Sequence, residues 1–353
     1  MREYGSEHPA VILPDGYFEH LKEYGREITY LRTGREALLY VSRNCKPDKA
    51  PVILCPAYSC WSMVAPFFLS KWKVLYYRLN EDLTIDEDFL ENALHKSTPD
   101  AILTMNYFGS ASTQRAIRIV KSLHPNITVI EDFSHCTFCF DKIYDEQVDY
   151  YVSSIRKSVG VCDGAVVISR IPTNKDYVDR PAPEFGDLRF KAQRQKGLYS
   201  VTKSQDDKEN FLSQLRFGES MINTIDGVHP ISERSLEMLE MLNGGNIAFA
   251  RKENMRHLWN ALKYNVEMIP GIERCFDGAP FSLPILVKDR DEVQKQLVSK
   301  GVYTPVLWPI DDTARHICNN SAYMADNMLS LPIDQRYDWD DIEDIARIVL
   351  ETV

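Results

Sequence analysis

Short, continuous apolar runs recur through the first half of the chain, separated by polar or amphipathic stretches. Residues 52–56, 74–79, 101–109, 127–132, 149–154 and 164–169 are rich in β-branched or aromatic residues, which predicts strands buried on both faces. Helical patterns fall between several of them. GREALLYVSR opens on Gly34, WSMVAPFFLSK follows a loop, and SASTQRAIRIVKSLH opens on Ser and Thr suited to capping. Such alternation predicts a mostly parallel α/β sheet. Residues 172–207 are polar, with several Pro and Gly and many charges, and read as a long excursion from the sheet. Residues 231–242 and 247–262 have helical patterns, the second beginning after Asn243-Gly244-Gly245. The tail reads as an α+β unit, with strands at 281–287, 302–309 and 329–334, a helix at 290–301 and a closing helix at 339–353.

At 353 residues the chain exceeds what one core usually holds, so a large and a small domain are expected. The net charge of −10 argues against bulk binding to nucleic acid or anionic membrane, though it leaves room for one local basic pocket. No run approaches the roughly 18 apolar residues of a membrane span, and the first residues lack a signal-peptide pattern. A cytoplasmic protein is the expectation. Eight cysteines are too sparse for a disulfide scaffold. Cys136 and Cys139 form one CxxC, but no second pair or spaced histidines follow, so they read as packed thiols and no metal is expected.

Ligands of an open parallel sheet bind at the carboxyl ends of its strands. Three such places stand out. Asp132 ends a strand, where a carboxylate can pair with a protonated pyridine nitrogen; His135 follows three residues later, beside such a ring or its phenolic oxygen. Ser153 and Ser154 end another strand, with Lys157 just beyond them and Asp163-Gly164 before the next strand. A lysine that attacks a carbonyl needs a partly neutral amine, which the adjacent Arg156 favours. Thr33-Gly34-Arg35 precede a helix whose free N–H groups and positive dipole end suit a phosphate. Each feature alone also fits a bland role: a turn-capping Asp, a structural His, a solvated Lys-Arg pair, an ordinary helix start.

Taken in order, these segments resemble the pyridoxal 5′-phosphate (PLP) aminotransferases of the DegT/StrS-like sugar aminotransferase family. Thr33-Gly34-Arg35-Glu36-Ala37-Leu38 is similar to the family's Ser-Gly-x-x-Ala-Leu, and Pro56-Ala57-Tyr58 to its Pro-x-Tyr turn. Tyr107-Phe108-Gly109, Glu131-Asp132-Phe133-Ser134-His135, the run from Ser153 to Ala165, and Leu329 to Tyr337 match further family segments. The resemblance covers roughly residues 30–350. It implies an aspartate aminotransferase-like large domain with a mostly parallel seven-stranded sheet over residues 30–243, after an N-terminal segment 1–29. A small α+β domain over 244–353 follows. It further implies a homodimer with Lys157 holding PLP covalently, Asp132 keeping the ring nitrogen protonated, and Gly34, Arg35 and Ser153 or Ser154 on the phosphate. The implied reaction moves an amino group from an amino-acid donor such as glutamate to a keto sugar, usually nucleotide-linked, for polysaccharide or natural-product synthesis.

The chain departs from the family at four points. The serines lie four and three residues before Lys157, not five, and Ala165 replaces a Gly. The ring-stacking position is Cys60, with Trp61 or Tyr58 as substitutes. The Asn that the family sends across the dimer has no clear match, leaving residues 217–229 either as a segment reaching across an interface or as a surface loop. Two rivals remain: a sugar dehydration on the same scaffold, against which Lys157 counts because the family's dehydratases carry His there, and a PLP-fold module that binds without turnover.

Overall fold

The computed structural model describes residues 4, 24, 26–45, 47 and 50–353. Most of the segment expected at residues 1–29, with its sequence features, lies outside the described residues. The chain runs β1 (Glu27–Leu31), α1 (Gly34–Asn44), β2 (Val52–Pro56), α2 (Trp61–Leu69), β3 (Lys73–Tyr77), α3 (Glu87–Ser97), β4 (Ala101–Met105), α4 (Gln114–Leu123), β5 (Thr128–Asp132), α5 (Phe140–Ile143), β6 (Tyr150–Ser153) and β7 (Ala165–Ser169). Two long helices, α6 (Glu184–Thr202) and α7 (Gln205–Met221), are followed by α8 (Glu233–Glu240) and α9 (Gly244–Leu262). The last third holds β8 (Glu267–Met268), β9 (Leu283–Leu286), α10 (Arg290–Ser299), α11 (Asp312–Ile317), α12 (Asn319–Asn327), β10 (Met328–Leu331) and α13 (Trp339–Leu350).

The central sheet is seven-stranded, in the order β1-β7-β6-β5-β4-β2-β3. Strands β2 to β6 pair in parallel; β7 alone runs against its neighbours β1 and β6. Strands β4 and β7 are buried at every residue, as their unbroken apolar runs require of a sheet covered on both faces. A second sheet, β10-β9-β8, is antiparallel.

Three readings of the sequence need correction. Strand β1 was not anticipated; it is an edge strand, half-buried over most of its length, so its apolar signal is weak. Residues 172–207 are no irregular excursion: α6 fills residues 184–202 and packs on α7 as a helical hairpin. The strand expected at 302–309 is absent beyond a bridge at Val302. Pro305 and Pro309 remove ladder donors there, and the stretch instead carries Trp308 to the mouth of a pocket.

Arg251, fully buried on α9, ties the two sheets together. Its guanidinium donates to the carbonyls of Pro280 (3.1 Å), Phe281 (3.2 Å) and Ser158 (2.9 Å), and to Gln335 Oε1 (3.0 Å). Gln335 also donates to the Ser158 carbonyl, at 3.1 Å. The loop that bears Lys157 is thus pinned from the C-terminal side.

Glu131, on β5 one residue before Asp132, is completely buried. Burial pushes its carboxyl up to about 7, although Thr113 (2.6 Å) and Asn106 (3.2 Å) donate to Oε1. Its other oxygen has no partner among the described residues. A folded pKa above the unfolded value means stability that is full below about 4.5 and lost as pH rises to about 7. In urea unfolding, Glu131→Gln is expected to remove this slope, gaining about 3 kcal/mol on wild type between pH 4.5 and 8. Parallel stability-against-pH curves for the two proteins would show Glu131 to be ionised at no folding cost.

Candidate active site

The carboxyl ends of β5 and β6 and the N-terminus of α1 meet at one pocket. Thr33, Gly34, Arg35, Cys60, Asp132, Ser134, Ser154, Arg156, Lys157 and Trp308 are among its lining residues. Thr33 caps α1, accepting from the Glu36 N–H at 3.3 Å and donating to Glu36 Oε2 at 2.8 Å. Gly34 is needed for close approach: a Cβ there would lie 3.0 Å from Ser154 Cβ, so only glycine lets the helix start meet the end of β6 without displacement. Arg35 lies alongside, its charged form disfavoured by burial and then by neighbouring Arg156.

Asp132 is held at the end of β5. Its Oδ1 accepts from the Ser134 N–H at 2.8 Å, and Ser134 Oγ accepts from the Ser154 N–H at 2.9 Å, which locks the two strand ends together. Burial raises the Asp132 carboxyl, against the opposing pull of the Ser134 hydrogen bonds and of Lys157. Lys157 is half-buried on a turn after β6, and its side chain makes no hydrogen bond or ion pair among the described residues; its charge acts on Asp132 and His135.

His135 sits behind the pocket in an aromatic cage, stacked on Phe281 (centroids 5.5 Å, 12°) and flanked by Phe108 and Trp308. Burial, then the Lys157 charge, holds it well below the usual histidine range, so it is neutral, and its Nδ1 has no partner among the described residues. The remaining candidates lie apart. Ser153 is turned away onto Thr137 Oγ1 (2.8 Å), so Ser154 is the serine that lines the pocket. Tyr58 is buried against Met328 and Trp308 and does not line it. Trp61 is 63% exposed and stacks on Phe68. Sequence reasoning missed Trp308, Met105 and Ile222 on the wall; nothing local to them distinguishes a pocket residue from a core one.

Elsewhere Glu36, Asp226 and His229 come within metal-ligating reach of one another. The Arg32 guanidinium already lies 2.9 Å from Glu36 and 3.0 Å from Asp226, filling the place of a cation.

The pocket suits PLP. It pairs an amine without an ion-pair partner with a buried carboxylate, and it joins both to a glycine-tight helix N-terminus flanked by two guanidiniums.

No protein-family model and no curated protein matches the chain in sequence. Solved structures do match. A Helicobacter pylori aminotransferase involved in the biosynthesis of pseudoaminic acid superposes with a TM-score of 0.68 at 14% identity, covering 99% of this chain and 99% of that one. A Streptococcus pneumoniae protein described as a sugar aminotransferase, in its PMP form, gives 0.68 at 10% identity over 99% of this chain and 97% of that one. A DegT/DnrJ/EryC1/StrS aminotransferase from Brucella abortus gives 0.61 at 16% identity over 94% and 88%. Over nearly its whole length, therefore, this chain has the fold of the sugar aminotransferases.

Proposed function

We propose that the chain is a PLP-dependent aminotransferase that transfers the amino group of an amino acid, glutamate being the expected donor, to a keto sugar linked to a nucleotide. The observation that carries this reading is the meeting of Lys157 and Asp132 in one pocket at the carboxyl edge of the sheet. When bound, PLP supplies a protonated pyridine ring that withdraws electrons from the carbon bearing the amino group. Asp132 would accept the ring N–H, and the Ser134 hydrogen bonds hold its carboxylate in place. Lys157 Nζ would hold the cofactor at its carbonyl carbon, and its amine, when free, would take the proton from the donor α-carbon. On the return half it delivers a proton to the carbon of the acceptor. His135, held neutral by burial behind the pocket, would add no charge to a bound cofactor. Met105 and Trp308 form apolar wall that keeps water from the reacting carbon.

The same reading divides the chain into a large domain over 30–243 and a small one over 244–353, supported by their separate sheets. It places the protein in the cytoplasm as a homodimer. Eight free cysteines fit a reducing compartment, and exposed Trp61, Phe68 and Leu69 on α2 beside the pocket fit an interface. No helix among the described residues is long and apolar enough to cross a membrane.

Protein loaded with PLP is expected to release one 2-oxoglutarate per site from glutamate, and then to transfer the amino group onto a nucleotide-linked keto sugar. Borohydride trapping before glutamate is added should place the pyridoxyl group on the peptide containing Lys157. A label on another lysine would overturn the site, and a Lys157 label with no release from any amino acid would make the chain a binding module.

A further inference from the structure

Asn106 is the first residue past β4 and is fully buried. It does not line the pocket, yet every polar group it carries is engaged close behind it. Its N–H donates to the Asp132 carbonyl at 2.9 Å, extending the β4–β5 ladder to the residue that bears the pocket's carboxylate. Its Nδ2 donates to Glu131 Oε1 at 3.2 Å, and Thr113 Oγ1 donates to the same oxygen at 2.6 Å. Its Oδ1 accepts from the Ala111 N–H at 3.1 Å, and its carbonyl accepts from the Gly109 N–H at 3.4 Å. One residue thus ties the end of β5 to the turn that follows β4.

That turn is strained. Phe108 (φ 54°) and Ala111 (φ 50°) lie in the left-handed region, which residues with a Cβ enter only when their surroundings impose it. Gly109 (φ 80°) lies against Gly278, and a Cβ on it would come within 2.6 Å of the Gly278 backbone. The turn is therefore held between Gly278 on one side and the bonds of Asn106 on the other. Its strained Phe108 is a residue that packs on His135, with ring centroids 4.7 Å apart. Backbone strain maintained by buried bonds beside a pocket points to a geometry that the pocket needs.

We infer that Asn106 is a positioning residue for the proposed transamination. It fixes Asp132 through the end of β5, and His135 through the turn 107–111. This deepens the aminotransferase reading above and rests on it. A bond that only held the fold would be felt in stability alone. A positioning bond is felt in the reacting geometry, where a displacement of about 1 Å costs up to about a hundredfold.

Asn106→Ala is compared with wild type by borohydride trapping, by steady-state kinetics with glutamate at saturating PLP, and by amide hydrogen exchange of the cofactor-free protein. PLP should still be trapped on Lys157. The expected kcat is about ten- to a hundredfold lower, with KM for glutamate within about twofold of wild type. Exchange in the peptide spanning residues 132–136, which holds the Ser134 N–H bound to Asp132, should quicken about tenfold, the scale of one lost hydrogen bond. Peptides of α9 and α13 should exchange as in wild type. In an Asp132→Asn background, Asn106→Ala should lower turnover by less than about threefold further, because the group it positions is already lost. Asn106→Asp keeps the side-chain shape and the bond from Ala111 but sets an acceptor against Glu131, so it too should lose turnover. Adding Glu131→Gln puts a donor opposite that acceptor again and should recover most of the loss, a check that does not depend on the alanine variant folding. Unchanged turnover in Asn106→Ala, a loss fully additive with Asp132→Asn, exchange that quickens throughout the chain, or no recovery in the swapped pair would overturn the positioning role. Wild type that traps no PLP on Lys157 would sink the aminotransferase reading instead. The exchange comparison, made without cofactor, would still decide whether Asn106 holds the Asp132 loop.

Discussion

Replacing Lys157 by alanine is expected to abolish covalent capture of PLP and to lower turnover by about 10³-fold or more. Proton transfer by a positioned side chain alone contributes about 10² to 10⁴, and on the proposed function this lysine also makes the bond to the cofactor. Lys157→Arg should fail equally, because a guanidinium cannot give up its proton near neutral pH. Small primary amines added to Lys157→Ala should restore part of the proton transfer. The fold should survive, because the Lys157 side chain makes no hydrogen bond or ion pair among the described residues that its removal would break. Borohydride trapping, 2-oxoglutarate release and the thermal midpoint are read together. Turnover within tenfold of wild type in the alanine variant would assign the base to another residue.

Asp132→Asn is expected to leave PLP trapped on Lys157 while transamination falls about a hundredfold or more, the scale of losing one charge aimed at the reacting group. An amide cannot stabilise a proton on the ring nitrogen, yet it can still accept from the Ser134 N–H that positions Asp132. The stability effect has the opposite sign. Burial raises the folded pKa of Asp132 above its unfolded value. The cofactor-free wild type therefore has full stability from this group below its unfolded pKa and loses it as pH rises through the folded one. Asp132→Asn has no such charge to bury, so at neutral pH its cofactor-free form should melt no lower than wild type. A variant that both melts lower and retains activity would make Asp132 a structural cap at the strand end.

What the sequence determined by itself was the part of the molecule whose signal is local. Strands β2 and β4 to β7 are buried almost throughout on both faces, so their apolar runs are continuous and legible. Because ligands gather at the carboxyl ends of such strands, Asp132, Ser153 or Ser154, and Lys157 could be singled out by position, and the structure brings Asp132, Ser154 and Lys157 into one pocket while turning Ser153 away. Tertiary structure decided the rest. The inward stripe of α6 includes Arg189, Gln193 and Lys196, polar residues at helical spacing that no apolar pattern reveals. Arg189 and Gln193 can be buried because distant groups meet them: the carbonyls of Cys162 and Val161, and Glu219 on α7. Trp308 reaches the pocket on an extended stretch whose prolines break the strand its apolar residues suggest. Arg156 and Glu219, 63 residues apart, meet only because the α6–α7 hairpin folds back to the sheet edge. Local pattern records which face a residue turns inward; it does not record which remote partner makes a buried charge affordable.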